Sequence, residues 1–255
     1  FIGHISTNQF QLGNLLGQKD LGNVAFDAHI DGTIDSLKLT HCIAEANIKN
    51  FDYLGYTYNH IHLDGEWNIN EINGTLSIND DNLKLSIDGL ADWDQEDTRI
   101  DLNVRFEDFT PAALNLTQKN PNLRIGADTY ISLYTSGSPK EMLDNLNGYV
   151  IVDSLDIANG DLTNTIEQIK VLIDSETREG QPFHQIRVQS DLVTGNLSGT
   201  FTYATLPSIT QHILHRYLPV LIDKPNGEYP AETNLDFYAY FRELDRLTSI
   251  FNLGI

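Results

Sequence analysis

The residues able to do chemistry are few and scattered. His60-Ile61-His62 sets two imidazoles two residues apart. On a strand both would share one face, a spacing that can hold zinc or copper. No third ligand is evident, although Asp64 falls on the same side, and a solvated polar face is the simpler reading. His212 and His215 stand one turn apart in a helical stretch, beside Gln211 and Arg216 that read as exposed. Asp92, Asp94, Glu96 and Asp97 crowd one loop, and Asp80 and Asp81 another. The glycine and terminal glutamate of a calcium loop are missing from both. Cys42 is the single cysteine, so it forms no internal disulfide, and a strand position suits it better than a reactive-thiol role. Gly-x-Ser-x-Gly and glycine-rich phosphate loops are absent. These residues predict no enzyme, no metal and no cofactor, so function must come from architecture.

The chain has 255 residues and a formal net charge of −20. That charge repels phosphate backbones and anionic headgroups, which excludes nucleic acid as a partner and disfavours adsorption on acidic membranes. No stretch approaches the roughly 18 consecutive apolar residues of a membrane span, and no signal peptide is read. The sequence begins at Phe1 and ends on Ile250-Phe251-Asn252-Leu253-Gly254-Ile255. Both ends read as cut from a longer polypeptide.

The elements are mostly strands. From Tyr53 to Phe106 the chain alternates apolar and polar residues through four strands in a row. Ile61, Leu63, Trp67 and Ile69 share one phase. Leu76 and Ile78 continue it, then Leu83, Leu85 and Ile87, then Ile100, Leu102 and Val104. Successive side chains on a strand point to opposite faces, so these residues share one apolar face while Asn, Asp, Lys, Ser and Arg share the other. Val150, Val152, Ile186 and Val188 extend the apolar set. Asp64-Gly65, Asn73-Gly74, Asn79-Asp80-Asp81-Asn82 and Asp88-Gly89 read as turns. Ser36 to Leu39, Arg124 to Ser136, Tyr149 to Ile157, Leu162 to Ile173, Phe183 to Ser190, Leu192 to Tyr203 and Ala231 to Tyr240 read as further strands. Short helices are expected near 110–117, 139–146 and 207–222, where Thr-Pro and Ser-Pro starts or a 3–4 apolar spacing occur. Arg242 to Phe251 reads as a terminal helix.

Two passages carry a family resemblance. Phe10 to Gly32, with Asp20-Leu21-Gly22 and Asp31-Gly32, resembles the strand, short turn, Asp-Leu-Gly, strand, Asp-Gly pattern of the AsmA/TamB superfamily. Met142-Leu-Asp-Asn-Leu-Asn-Gly-Tyr-Val-Ile-Val-Asp153 is similar to its Leu-x-x-Leu-x-Gly turn feeding a strand. The resemblance implies a periplasmic segment of an inner-membrane-anchored protein of a Gram-negative cell, with the anchor outside this sequence. It further implies a long curved sheet whose apolar groove carries phospholipid between the inner and outer membranes, with support of outer-membrane protein assembly as a second implied role.

The expected fold is therefore all-β, a large curved antiparallel sheet, a U-shaped trough or β-taco, with a few short helices. Residues 1–109 are expected to form the first part of one continuous sheet and 110–255 its continuation. The sixteen apolar residues named above are the candidate lipid groove. Expected partners are phospholipid acyl chains, the remainder of a longer chain and an outer-membrane assembly protein. The alternative is a closed β-sandwich binding or adhesin module for carbohydrate or protein, with Tyr53, Tyr56, Tyr58, Trp67 and Trp93 as stacking surfaces.

Overall fold

The computed structural model describes residues 1–35, 38–93, 97–118, 120–138, 141–178, 180–217, 219, 224–225, 234–243 and 245–246. Strict alternation of apolar and polar side chains yields long strands. They are β1 (Ile2–Gln11), β2 (Leu21–Asp35), β3 (Lys38–Tyr53), β4 (Tyr56–Asn68), β5 (Glu71–Asp80), β6 (Leu83–Trp93) and β7 (Asp97–Phe109). Then come β8 (Leu123–Ser136), β9 (Asn147–Asn159), β10 (Leu162–Arg178), β11 (Gln181–Gln189), β12 (Val193–Thr200) and β13 (Asn234–Phe241). Each pairs with its sequence neighbours in a single antiparallel sheet of 13 strands. The sheet is open, with β1 and β13 at its edges. The fold is thus all-β, one large curved antiparallel sheet, and pairing of β7 with β8 carries it unbroken past residue 110. The helices among the described residues are short: α1 (Leu12–Leu16) and α2 (Leu206–Tyr217).

Several expected turns lie inside strands. Gly65, Gly74 and Gly89 sit directly opposite one another in the middle of β4, β5 and β6. A Cβ on Gly74 would meet the Asp64 carbonyl oxygen at 2.5 Å and Gly65 Cα at 2.8 Å, and one on Gly89 would meet Leu102 Cδ2 at 2.3 Å. The backbones approach too closely there for any side chain, so these glycines mark a crease rather than reversals. Asp31-Gly32 likewise lies within β2. The expected turn at Asn79-Asp80-Asp81-Asn82 is a true reversal, at 81–82, and the chain also reverses at 54–55, 69–70 and 160–161.

The helix expectations shorten. Residues 110–117 make one turn, with the Leu114 amide on the Thr110 carbonyl at 3.2 Å and Leu116 on Pro111 at 2.9 Å. Asn115, at φ 60°, stops it. Of the helix expected near 139–146, 139–140 lie outside the described residues and 141–145 form a turn, with Glu141 Oε2 accepting from the Ser138 amide at 3.1 Å and from its hydroxyl at 2.6 Å. The third helix, α2, ends at Tyr217, and Leu218 and Leu221 lie outside the described residues. So do Ser36, Leu37, Asp94, Glu96 and most of 242–251.

The phase of alternation flips at non-glycine residues with positive φ. His60 has φ 52°, Asp108 φ 53° and Gln168 φ 41°. Tyr58 and Ile61 consequently face the same way and pack in one cluster. Phe106 and Phe109 do likewise, their rings 5.8 Å apart. At Asp108 the flip is a bulge, with the register against β8 shifting between Phe106 and Phe109. At His60 and Gln168 the register with β3 and β9 runs on without a shift, so both partners change phase together.

Candidate functional site

Opposed residues in an antiparallel pair share a face, so the registers trace apolar rows across the sheet. One row runs Ile48, Ile61, Ile78, Leu85, Phe106, Ala127, Leu155 and Ile166. The next runs Ala46, Leu63, Leu76, Ile87, Val104, Thr129, Val152 and Ile169. The third passes from the glycine crease to Leu102, Ile131, Val150, Val171 and Val188. The fourth links Cys42, Trp67, Ile72, Ala91, Ile100 and Leu133, and continues through Ile173 and Ile186 to Leu197. Leu83 lies in phase with Leu85 and packs against the cluster around Tyr58.

Fifteen of the sixteen candidate groove residues therefore share one face. Ile69 does not: β4 ends at Asn68, and Ile69 sits in the following turn at 61% exposure. A one-residue turn position has no place in the alternation, so its apparent phase carried no meaning.

This face is the concave one. Leu192, in the turn between β11 and β12, clusters with Leu123 and Ile157 from β8 and β9, and Ile125, Leu155 and Ile166 pack against that cluster. Contact across that many strands requires the sheet to curl toward its apolar side. Apart from aromatic hydroxyls and the Cys42 thiol, the titratable groups at its described positions from β3 to β12 are Asp80 and His184, both buried. The convex face carries the ion pairs. Lys84–Asp108 is 2.8 Å, Arg187–Asp174 is 2.5 Å, and Arg105 grips Asp128.

Among the described residues little covers the trough. Leu63, Trp67 and Ile72 remain 38%, 40% and 48% exposed. At one end the turn after Thr110 seats Leu114, fully buried, on Tyr58 and Ile61, with Phe51, Tyr53 and Tyr56 around it. Asp80 closes that corner. It accepts from the Tyr56 hydroxyl, from the Asn59 amide at 3.0 Å and side chain at 3.1 Å, and from the Asn82 amide at 3.1 Å. Burial pushes its carboxyl up, yet these hydrogen bonds outweigh that and hold it below the ordinary aspartate value.

The opposite end is locked by His184. Its ring lies 4.9 Å from Phe201 and 4.7 Å from Tyr203. Nδ1 meets Ser175 Oγ at 3.0 Å, and Ser175 donates to the Leu146 carbonyl at 2.6 Å, so Nδ1 carries the proton. Nε2 stands 3.9 Å from Asp144 Oδ1 and has no hydrogen-bond partner among the described residues. Burial lowers the His184 pKa below its ordinary value, against the opposite pull of Asp144. Ser175, His184 and Asp144 have a hydrolase triad's composition without its geometry. The serine proton is committed to a carbonyl and the imidazole is sealed from solvent.

Toward β13, α2 lies over the concave face. Leu206, Thr210, Ile213 and Tyr217 form the stripe that faces Ile186, Val188, Leu197 and Phe237, and a cavity of about 660 Å³ separates them. The periodicity singled out Ile213 and Tyr217, but not the space beneath them.

The other sequence candidates do not converge. His62 Nδ1 bonds Asn47 at 2.9 Å on the convex face, and His212 Nδ1 bonds its own helix at Ser208. Among the described residues no three His, Cys, Asp or Glu side chains gather as a metal site. Nor is any described helix long and apolar enough to cross a membrane. The aromatics Tyr53, Tyr56, Tyr58 and Trp67 lie on the concave face, not on an outer stacking surface. Sequence reasoning missed the part that β3 and β10 play, through Ile48, Ile169, Val171 and Ile173. Their alternation was visible and their register was not.

No family model, no curated protein and no solved structure matches this chain.

Proposed function

We propose that the trough carries lipid, taking the acyl chains of phospholipid against its concave face while headgroups stay in water at the open rim. The observation behind this reading is an apolar face that runs across the sheet and, among the described residues, has no second layer over most of its area. A single sheet layer ordinarily buries such a face against helices or another sheet. Here an alkyl chain supplies the missing layer, each buried CH₂ contributing about 0.8 kcal/mol. Rows of Ile, Leu and Val offer no fixed polar anchor, which suits a chain that must slide rather than dock.

The proposal includes the setting that the AsmA/TamB resemblance implies. The segment belongs to an inner-membrane-anchored protein of a Gram-negative cell and works in the periplasm, between the two membranes. Its partners there are phospholipid, the rest of its own chain and an outer-membrane assembly protein. The role is passage, without bond making or breaking.

Native mass spectrometry of the purified chain, followed by organic extraction, tests it. Copurified phospholipid is expected, and Leu85→Asp or Leu102→Asp should remove it while Ser86→Asp on the convex face should not. A folded chain that emerges lipid-free and takes up none from vesicles overturns the reading.

A further inference from the structure

We propose that β13 is a docking edge for a second copy of this chain. Two β13 strands would join antiparallel about a two-fold axis and merge both sheets into one. This inference stands apart from the lipid reading and needs only the edge geometry.

The two edges of the sheet differ. β1 is bulged, its register with β2 shifting between Thr7 and Phe10. Bulges twist an edge away from further pairing. β13 is regular, matched to β12 at every residue from Asn234 to Phe241. Among the described residues β12 is its only strand neighbour. Exposed edges are normally guarded by charge, above all lysine. One residue in five of this chain is charged, yet β12 has none and β13 only Asp236. Phe237, Tyr238, Tyr240 and Phe241 are all exposed, and the two tyrosine rings lie 5.5 Å apart, tilted by 53°, on the convex side. A regular, aromatic edge with a single charge is a template for another strand.

Symmetry selects the partner strand and limits its register. A two-fold axis normal to the sheet pairs identical strands antiparallel and leaves both concave faces on one side. A translated copy would instead bring the bulged β1 alongside in parallel. Faces match only when the axis passes through a residue, because a half-step mixes concave and convex side chains. An axis at Asp236 sets two carboxylates face to face, and one at Tyr240 leaves only a short overlap. An axis at Tyr238 overlaps Leu235 to Phe241. It sets Asp236 against the other copy's Tyr240, Phe237 against Ala239 and Leu235 against Phe241, with no like charges opposed.

Sedimentation equilibrium of the whole chain should give twice 28.7 kDa. Self-association should strengthen as salt rises, since the net charge of −20 opposes it and 1 M salt shortens screening to about 3 Å. Tyr238→Lys with Tyr240→Lys should return a folded monomer, checked by circular dichroism. In a Cys42→Ser background, Tyr238→Cys should oxidise to a covalent dimer and Asp236→Cys alone should not. A single-chain mass at high salt overturns the proposal. So does a dimer that survives both lysines, or cross-linking that is equal at 236 and 238.

Discussion

At the scale of single residues, two buried titratable groups set how the trough ends respond to pH. Asp80 is ionised and fully hydrogen-bonded, and its folded pKa lies below the unfolded one. Its contribution is therefore present above the unfolded value near 3.8 and is lost as pH falls through the folded value. Asp80→Asn should cost about 1–3 kcal/mol near neutral pH, with the gap closing in acid, as urea unfolding at the two pH values would show. His184 works in the other direction. Its folded pKa is depressed, so both states are neutral above about 6.5 and the unfolded chain takes up its proton first as pH drops. Stability should fall as pH descends from 6.5 through the folded value, and His184→Gln should flatten that part of the profile. The comparison with the variant isolates this imidazole from the exposed histidines paired with Asp27 and Glu66.

At the scale of elements, the crease is the feature most open to a direct test. Gly74→Val drives a branched side chain into the Asp64 carbonyl and Gly65 Cα and should destabilise by about 1–3 kcal/mol or more. Thr75→Ala, next door on the convex face, should stay within about 0.5 kcal/mol. Equal effects in chemical denaturation would show that the backbones at the crease have room to part. The same glycines show what the sequence could and could not disclose. Strand number and sidedness from Tyr53 to Phe106 were legible, because alternation is a local property of the chain. The turns were legible only in part: Asn79-Asp80-Asp81-Asn82 is a reversal, but Asp64-Gly65 and Asp88-Gly89 have hairpin composition and differ from true reversals only in what lies opposite them. The flips at His60 and Asp108 were hidden for a related reason: neither residue type announces a positive φ. Without them Tyr56 and Tyr58 fall on the convex face, where they suggest a sugar platform. The pieces that close the trough are single side chains, Leu114, Leu192 and His184, set in place by contacts from distant strands. No local pattern points to them.

At the scale of the whole molecule, charge and greasiness are segregated between the two faces, and under the proposed lipid-carrying function that segregation would govern how lipid enters. The convex face bears most of a net charge of −20, while the concave face carries rows of Ile, Leu and Val. An acyl chain gains by leaving water for the trough, but the chain as a whole is repelled by an anionic bilayer. Headgroup attraction therefore does not favour recruitment to an anionic bilayer, and the proposed function predicts that approach is the slow step. Lipid uptake from anionic vesicles should be slower than from zwitterionic ones at low salt. Raising ionic strength from 0.01 M to 0.1 M shortens the screening length from about 30 Å to about 10 Å and should bring the two rates together. Uptake from zwitterionic vesicles should hardly respond, since only the apolar transfer remains. Stopped-flow transfer of a fluorescent phospholipid measures both rates. An anionic preference that disappears with salt would mean that a basic surface recruits the bilayer. The same rate from both vesicle types at every salt concentration would make desorption of lipid from the bilayer, rather than approach of the protein, the slow step.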